Sequence, residues 1–473
     1  MQREGNNFEF GHELRITKTE IPGLLVIDLP VHGDSRGWFK ENWQRAKMVE
    51  LGLPDFQPVQ NNISFNSERG VTRGLHAEPW DKFISVATGK VFGAWVDLRA
   101  GDNFGKVFSI EITPNRAIFV PKGVANGYQA LAANTAYSYL VNEHWHVGVK
   151  YTAVSLSDET INIKWPIKLS EAIISDKDQA NPKLEAVEPI QPAKILITGG
   201  NGQLGLALRS KYPEARWADR DSLDIANMKA IQNFDWSDIG TVINAAAYTN
   251  VDGAESEEGR ELSWCINAVG VSNLAKICKE KNITLFHISS DYVFDGRKPE
   301  HDEEESPSPL SVYGASKAAG DLIVSSIPKH YTLRTSWVIG EGKNFVRTMI
   351  DLGRKGISPK VVDDQRGRLT FTSELVSAID FILSKQPAYG TYNVTNSGPI
   401  ASWAEITEKI FDNCGYNLKV ERVSTEEYFA GKTGIAPRPK NSDLNLEKLQ
   451  KQGFLFSNWE IALKEYIKKE TRK

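Results

Sequence analysis

Four glycines fall within the seven residues Gly199-Gly200-Asn201-Gly202-Gln203-Leu204-Gly205, between the apolar run KILIT and the helical stretch LGLALRSKY. Glycine permits a tight turn from strand into helix and lets backbone approach another group with no Cβ in the way. Such a turn is one unit of a parallel sheet, and the chain continues as that unit requires. Apolar runs at 241–248, 283–294 and 331–340 alternate with helical stretches, the signature of a doubly wound α/β sheet. In that context G-x-x-G-x-x-G predicts a seat for a pyrophosphate, faced by the N–H donors and positive dipole of a helix N-terminus.

Residues 1–180 read differently. Short strands are predicted at 24–29, 83–88, 91–98, 107–112, 117–120 and 135–141, rich in β-branched and aromatic residues and separated by Gly, Pro and Asn. With no long helical period among them, an all-β sandwich or jelly roll is predicted. Prolines at 182, 189 and 192 and few apolar residues mark 181–193 as a linker, and the α/β domain then runs over 194–473.

The chain has 473 residues, which at ~150 per domain suggests about three compact units. With 41% apolar and 25% charged residues, neither disorder nor a fibrous repeat is indicated. Fifty-six basic against 60 acidic side chains leave a net charge of -4, so nucleic acid, which asks for a basic surface, is not the expected partner. Cys265, Cys278 and Cys414 are odd in number and widely spaced, which fits neither a disulfide framework nor a zinc cluster. A reducing cytoplasm fits them best. No apolar run reaches the ~18 residues of a membrane span, and the N-terminus carries no signal-peptide core.

Beyond the glycine turn, Asp219, Arg220 and Asp224 stand where an acidic residue would bind a ribose hydroxyl and an Arg a 2′-phosphate, so NADH and NADPH both remain open. Tyr313-Gly-Ala-Ser-Lys317 places a phenol and an ammonium one helical turn apart. Lys317 there is expected to lower the Tyr313 pKa and to bind the nicotinamide ribose, so that the phenol protonates a carbonyl as hydride arrives. Ser290, at the end of a predicted strand, would orient the substrate oxygen. GGNGQLG, NAAAYTNVDGAESE (244–257), SSDYVFDG (289–296), YGASK, RTSWVIG (334–340), DDQRGRLT (363–370) and RPKNSDL (438–444) together resemble the dTDP-4-dehydrorhamnose reductase family, within the extended short-chain dehydrogenases/reductases. The resemblance implies a Rossmann domain with a small substrate lobe and a catalytic trio of Tyr313, Lys317 and Ser290. It further implies a cofactor lined by Gly199, Gly202, Gln203, Leu204, Gly205, Asp219, Asp224, Ala245, Ala246 and Ala247, and a sugar near Asp291 and Trp337. The family has also been associated with Mg. Leu369 departs from it, standing where D-Q-x-G-x-P-T has Pro. The acidic run 302–305 reads as a solvated loop.

In the first domain DSRGWFKE (34–41), QNNIS (60–64), RGLH (73–76), Lys82, VDLR (96–99), FVPKGVANGY (119–128), WP (165–166) and SDKD (175–178) resemble, in order and spacing, the dTDP-4-dehydrorhamnose 3,5-epimerase family, a cupin-type jelly roll. His76 suits a base beside a ketosugar, Asp178 would hold its tautomer, and Lys82 would stabilise the enolate. The resemblance makes Tyr139 the acid and points to Arg36, Glu41, Gln60, Asn62 and Arg73 as substrate-binding residues. Asn126 stands where the family's G-F-x-H-G-F has His, Ala77-Glu78 follow His76 in place of an aromatic and Gln, and Trp145 replaces a Tyr. His144-x-His146 lacks the further ligands of a metal site, so no metal is expected there.

Two enzymes in pathway order are thus implied: a dTDP-4-dehydro-6-deoxyhexose epimerised beside its ketone and then reduced with NADH or NADPH, in a cytoplasmic homodimer. A reductase with a single-centre or inactive epimerase-like domain, and a non-catalytic NADP(H)-binding regulatory subunit, are the alternatives.

Overall fold

The structure is a computed structural model and describes residues 10–11, 13–145 and 147–471. It divides into two compact units, Met1–Pro192 and Ala193–Lys473.

The first unit is a sandwich of two antiparallel sheets. One has six strands in the order Arg15–Lys18, Leu25–Asp28, Arg116–Val120, Lys82–Thr88, Thr135–Val141, Gln60–Asn66; the other runs Thr152–Ala153, Thr72–Ala77, Val124–Ala130, Val91–Asp97, Val107–Ile112. Alternate residues of a strand face opposite sides, and here both sides are covered. Val26, Ile84, Val86, Trp95 and Ile118 fill the space between the sheets. Their neighbours Leu25, Ile27, Phe83 and Phe119 pack outward with Met48 of the helix Arg45–Glu50. Behind the second sheet Leu75, Ala94, Val96 and Ala125 are covered by Val154, Leu156 and Ile161.

The segment predicted as a linker is mostly packed in place. Leu184 and Val187 join that outer cluster, the Pro182 carbonyl accepts from Ser155 N at 2.8 Å, and Ile190 exchanges backbone hydrogen bonds with Leu98 and Ala100. Its prolines break helix and strand without loosening the chain, because apolar side chains between them have a sheet face to bury.

The second unit is built on a six-stranded parallel sheet ordered Arg216–Ala218, Lys194–Thr198, Ile239–Asn244, Thr284–Ile288, His330–Arg334, Gly390–Asn393. The chain leaves Lys194–Thr198 in one direction and later resumes on its other side, creating a switch point where the carboxyl ends of strands open a crevice. Helices Met228–Asn233, Val271–Glu280 and Val312–Ser325 cover one face; Gln203–Lys211 and Thr372–Lys385 cover the other. A smaller lobe has its own core of Val346, Ile350, Leu369, Phe371, Ile406, Ile410 and Trp459. Leu369 is fully buried there, so its side chain contributes packing to the lobe.

Candidate active sites

In the first unit, Thr72–Ala77 turns His76 inward while Leu75 packs on the outer face. Gly74 has φ +117°, and a Cβ there would lie 2.5 Å from Gly127 Cα; only glycine lets these strands approach so closely. Asp178, in the short helix Asp176–Gln179 capped by Ser175, accepts from Gly74 N at 3.2 Å and meets His76 Nε2 at 2.7 Å. Burial pushes the Asp178 carboxyl up, but the hydrogen bond and charge of His76 and the Gly74 N–H outweigh it and hold it below the usual carboxylate range. With Nε2–H donating to Asp178, the lone pair of His76 is on Nδ1.

Across the cavity, Lys82 is only 4% exposed. Its Nζ pairs with Glu78 and donates to Asn126 Oδ1 at 2.5 Å. Burial lowers the Lys82 pKa, against the opposing pull of Glu78. Asn126 Nδ2 reaches Tyr137 OH at 3.4 Å, and Tyr137 stacks on Tyr128 at 4.0 Å. Burial raises the phenols of both Tyr137 and Tyr139, and the Glu78 charge adds to it, so both stay protonated at neutral pH.

His76, Asp178, Lys82, Tyr139 and Arg73 therefore line one cavity of about 180 Å³, together with Ser64, Glu78 and Asn126. Gln60 and Asn62 sit on the same strand face as Ser64 but beyond the cavity lining, tied to each other at 2.8 Å. Arg36 and Glu41 are elsewhere: Arg36 is exposed and pairs with Asp34 on the hairpin Val31–Asp34/Gly37–Lys40, and Glu41 pairs with Lys47 at 2.7 Å. Trp145 is 59% exposed. His144 is exposed, and His146 lies outside the described residues. Tyr137 went unrecognised in the sequence, although it stands two residues from Tyr139 and so on the same strand face.

In the second unit the glycine turn is built as predicted. Gly199 has φ +68°, and a Cβ on Gly205 would lie 2.3 Å from the Gly199 carbonyl oxygen, so helix and turn meet backbone to backbone. A cavity of about 450 Å³ opens at the switch point, lined by Gly199, Gly202, Asp219, Arg220, Asp224 and Ala245–Ala247 among others. Gln203 and Leu204 turn their side chains elsewhere. Gln203 accepts from Gly340 N at 2.7 Å, and Leu204 is buried in the core. The Asp219 carboxylate is engaged by Ser222 and by Asn201 at 2.9 Å.

Tyr313 and Lys317 lie on Val312–Ser325, whose N-terminus Ser311 caps. Lys317 is 1% exposed, and its Nζ donates to the Ile288 carbonyl at 2.6 Å. Burial pushes Tyr313 up to about 12, partly offset by its hydrogen bond with Ser290, while burial brings Lys317 down to about 8. The expected depression of Tyr313 by Lys317 is therefore not found. The ammonium is engaged with a backbone carbonyl, and desolvation of the phenol dominates.

Asp291 accepts from Ser290 Oγ at 3.0 Å and from Ser442 Oγ at 2.5 Å, and burial raises its carboxyl to about 6. Both its oxygens are engaged, so it backs the site instead of opening onto it. Trp337 does line a cavity of about 270 Å³ in the lobe, with Tyr292, Gln365, Trp403, Arg438 and Ser442; Tyr292 packs edge-on against Tyr313 at 5.4 Å. Trp337 takes φ +47° and stacks on Trp403 at 3.8 Å.

Asn267 went unrecognised in the sequence. It lies in a π-helical turn, Cys265–Gly270, clasps Tyr248 through both side-chain atoms and donates to Ser316 Oγ at 3.0 Å. It thus ties the helix of Tyr313 and Lys317 to the loop that follows Ala245–Ala247. The acidic run 302–305 is only partly solvated. Glu303 accepts from Asn393 N at 3.0 Å, and Glu305 meets His301 Nδ1 at 3.0 Å. Among the described residues no group of three or more His, Cys, Asp or Glu could hold a metal ion, so the Mg implied by the resemblance finds no ligand set there. Nor is any helix among them long and apolar enough to cross a membrane.

Comparison with known proteins separates the same two parts. Residues 18–186 match the family dTDP-4-dehydrorhamnose 3,5-epimerase, and residues 193–472 match the family RmlD substrate binding domain. Protein RmlC homolog of Streptococcus pyogenes serotype M6 is 51% identical over 183 residues, covering 37% of this chain and 92% of its own. The dTDP-4-dehydrorhamnose reductase of Aggregatibacter actinomycetemcomitans is 37% identical over 294 residues, covering 58% of this chain and 97% of its own. The crystal structure of dTDP-4-dehydrorhamnose reductase from Bacillus anthracis, a complex with NADP, is similar with a TM-score of 0.55 at 38% identity, over 59% of this chain and 99% of that one.

Proposed function

The chain belongs to the dTDP-4-dehydrorhamnose 3,5-epimerase family in its first domain and to the dTDP-4-dehydrorhamnose reductase family in its second, and on that footing we propose one bifunctional enzyme of dTDP-L-rhamnose formation. The first domain epimerises a dTDP-4-dehydro-6-deoxyhexose at the carbons beside its ketone. The second reduces that ketone. The observation that carries this reading is that the first domain gathers His76, Asp178, Lys82 and Tyr139 in one cavity, while the second sets Tyr313 and Lys317 on one helix with Ser290 hydrogen-bonded to Tyr313.

In the epimerase domain His76 Nδ1 takes the proton from carbon, and the bonding pair moves onto the ketone oxygen. Asp178 stabilises the resulting imidazolium. The Lys82 ammonium stabilises the enolate oxygen. Tyr139, kept protonated by burial, returns a proton to the opposite face of the carbon.

In the reductase domain the residues fit a nicotinamide dinucleotide: the Gly199–Gly205 backbone approach, the helix N-terminus behind it and the cavity at the switch point all suit a pyrophosphate. When bound, the cofactor supplies hydride. Tyr313 gives its phenolic proton to the carbonyl oxygen as charge develops there, and Ser290, hydrogen-bonded to Tyr313, orients that oxygen. NADPH is the proposed cofactor. Arg220 lines the cavity beside an Asp219 already engaged by Ser222 and Asn201, and the similar Bacillus anthracis reductase is a complex with NADP. The trio of Tyr313, Lys317 and Ser290 speaks against a non-catalytic regulatory subunit. A cytoplasmic location and a homodimer complete the proposal, and the homodimer is supported by the edge strand Gln60–Asn66, which exposes Ile63 and Phe65.

Incubation of the pure chain with dTDP-4-dehydro-6-deoxyglucose and NADPH in heavy water tests the proposal, with the sugar product read by NMR. Deuterium at both carbons flanking the former ketone, with matching loss of NADPH, is expected. No deuterium at either carbon would remove the epimerase assignment. Unchanged NADPH in the presence of a separate active epimerase would remove the reductase assignment.

A further inference from the structure

The epimerase cavity contains a carboxylate that the mechanism above does not use. Glu78 is 17% exposed at its side chain and pairs directly with Lys82, itself 6% exposed there. A buried lysine is expensive to keep charged, since desolvation favours the neutral amine. The surroundings of Lys82 offer little else to hold the charge. From Val124–Ala130 it faces Asn126, which is uncharged, and the phenol Tyr128; from Thr135–Val141 it faces Tyr137 and Tyr139, both protonated. From Thr72–Ala77 the same cavity receives His76 and Arg73, and from Asp176–Gln179 it receives Asp178, whose carboxylate is spent on His76 and Gly74. Glu78 is thus the one carboxylate in the cavity lining whose ion-pair partner is Lys82.

Resting on the epimerase reading, we propose that Glu78 is a positioning residue of that reaction, which keeps the Lys82 ammonium charged and aimed beside Asn126 so that it meets the enolate oxygen as a cation. Geometry supports both halves of the role. Glu78, on the loop after Thr72–Ala77, and Asn126, on the neighbouring strand Val124–Ala130 of the same sheet, both engage Lys82 Nζ. Tyr139 lies beneath it, with its ring centroid 5.8 Å away, so the held ammonium stands beside the proposed acid. Removal of the carboxylate leaves a buried amine that deprotonates at lower pH, and a neutral amine donates weakly to an enolate. The loss therefore appears first on the alkaline side of the activity profile.

The test is the pH dependence of deuterium exchange into the sugar, measured on the full chain for the unmodified protein, Glu78→Gln, Glu78→Asp and the double variant Glu78→Gln/Lys82→Arg. The alkaline limb of Glu78→Gln is expected to move down by about one pH unit or more. Glu78→Asp should retain most of the original limb. The double variant should recover activity at high pH relative to Glu78→Gln, because a guanidinium does not titrate there. Superimposable profiles for Glu78→Gln and the unmodified chain would overturn the proposal. Loss of exchange at every pH in both single variants, with the melting transitions of the unmodified chain retained as evidence that the first domain is folded, would overturn it too, because the carboxylate would then be needed for more than the Lys82 charge. No exchange in the unmodified chain at any pH would overturn the epimerase reading itself and this inference with it.

Discussion

Asp291 shows how one buried side chain couples the reductase site to pH. Its two oxygens are engaged by Ser290 and Ser442, and burial leaves the carboxyl at about 6, above the ordinary value of 3.8. The folded state therefore binds this proton more tightly than the unfolded chain does. The group contributes stability that is full below about pH 4 and is lost as pH rises through about 6. Asp291→Asn, neutral throughout, is expected to flatten that part of the curve. Calorimetry of both proteins between pH 4 and 7 should show the variant gaining roughly 2–3 kcal/mol on the native chain toward neutral pH, for a shift of about two pKa units. Parallel slopes would refute the assignment. Asp291 was found from its motif, but its role was not: whether a carboxylate opens onto a sugar or backs the site depends on Ser442, which is 151 residues away in sequence.

The strands most legible in the sequence are those rich in β-branched and aromatic residues. Strands predicted at 107–112 and 135–141 are found as Val107–Ile112 and Thr135–Val141. Among the strands not predicted are Gln60–Asn66, Thr72–Ala77 and Val124–Ala130. These carry Ser64, His76 and Asn126 into the cavity, and polar residues on the inner face blur the alternation by which a strand is recognised. In the second domain the apolar runs overshoot: Ile239–Asn244 and Thr284–Ile288 end before Ala245 and Ser289, and the surplus residues are the loops that build the site. The glycine turn is the opposite case, where local sequence and tertiary need coincide. Gly205→Ala would place a Cβ 2.3 Å from the Gly199 carbonyl oxygen and 2.7 Å from Gly200 Cα. Both are backbone atoms, so the helix must shift, at about 1–3 kcal/mol. Titration calorimetry is expected to show NADPH affinity reduced tenfold or more, while Leu206→Ala, at a 40% exposed position of the same helix, leaves it unchanged. Equal affinities for the two variants would mean that the backbone approach does not govern cofactor binding.

Each domain has its own hydrophobic cores and encloses its own cavity, so the two activities should be separable by single substitutions in an otherwise intact chain. His76→Ala is expected to abolish deuterium exchange while reduction of a separately epimerised sugar continues. Tyr313→Phe is expected to lower reduction by about 10²–10⁴-fold, the usual worth of a general acid, with exchange retained. Mixing the two variants should restore conversion of dTDP-4-dehydro-6-deoxyglucose to the reduced sugar, because the epimerised intermediate can leave one chain and enter the other. Failure of the mixture, with each variant active in its remaining step, would show that the intermediate does not pass through solvent. By itself the sequence determined the two fold classes and their order along the chain, because periodicity and glycine placement are local properties, and its family resemblance singled out His76, Asp178, Lys82, Tyr313 and Lys317 as the residues now proposed for the chemistry. Only the tertiary structure decided that Glu78 faces Lys82, that the proline-rich segment lies packed on the first domain, that Arg36 and Glu41 stand outside the cavity of their own domain, and that Tyr313 is shaped by burial more than by Lys317. Each of these depends on which distant side chains exclude water from a charge or an apolar face, and no local spacing records that.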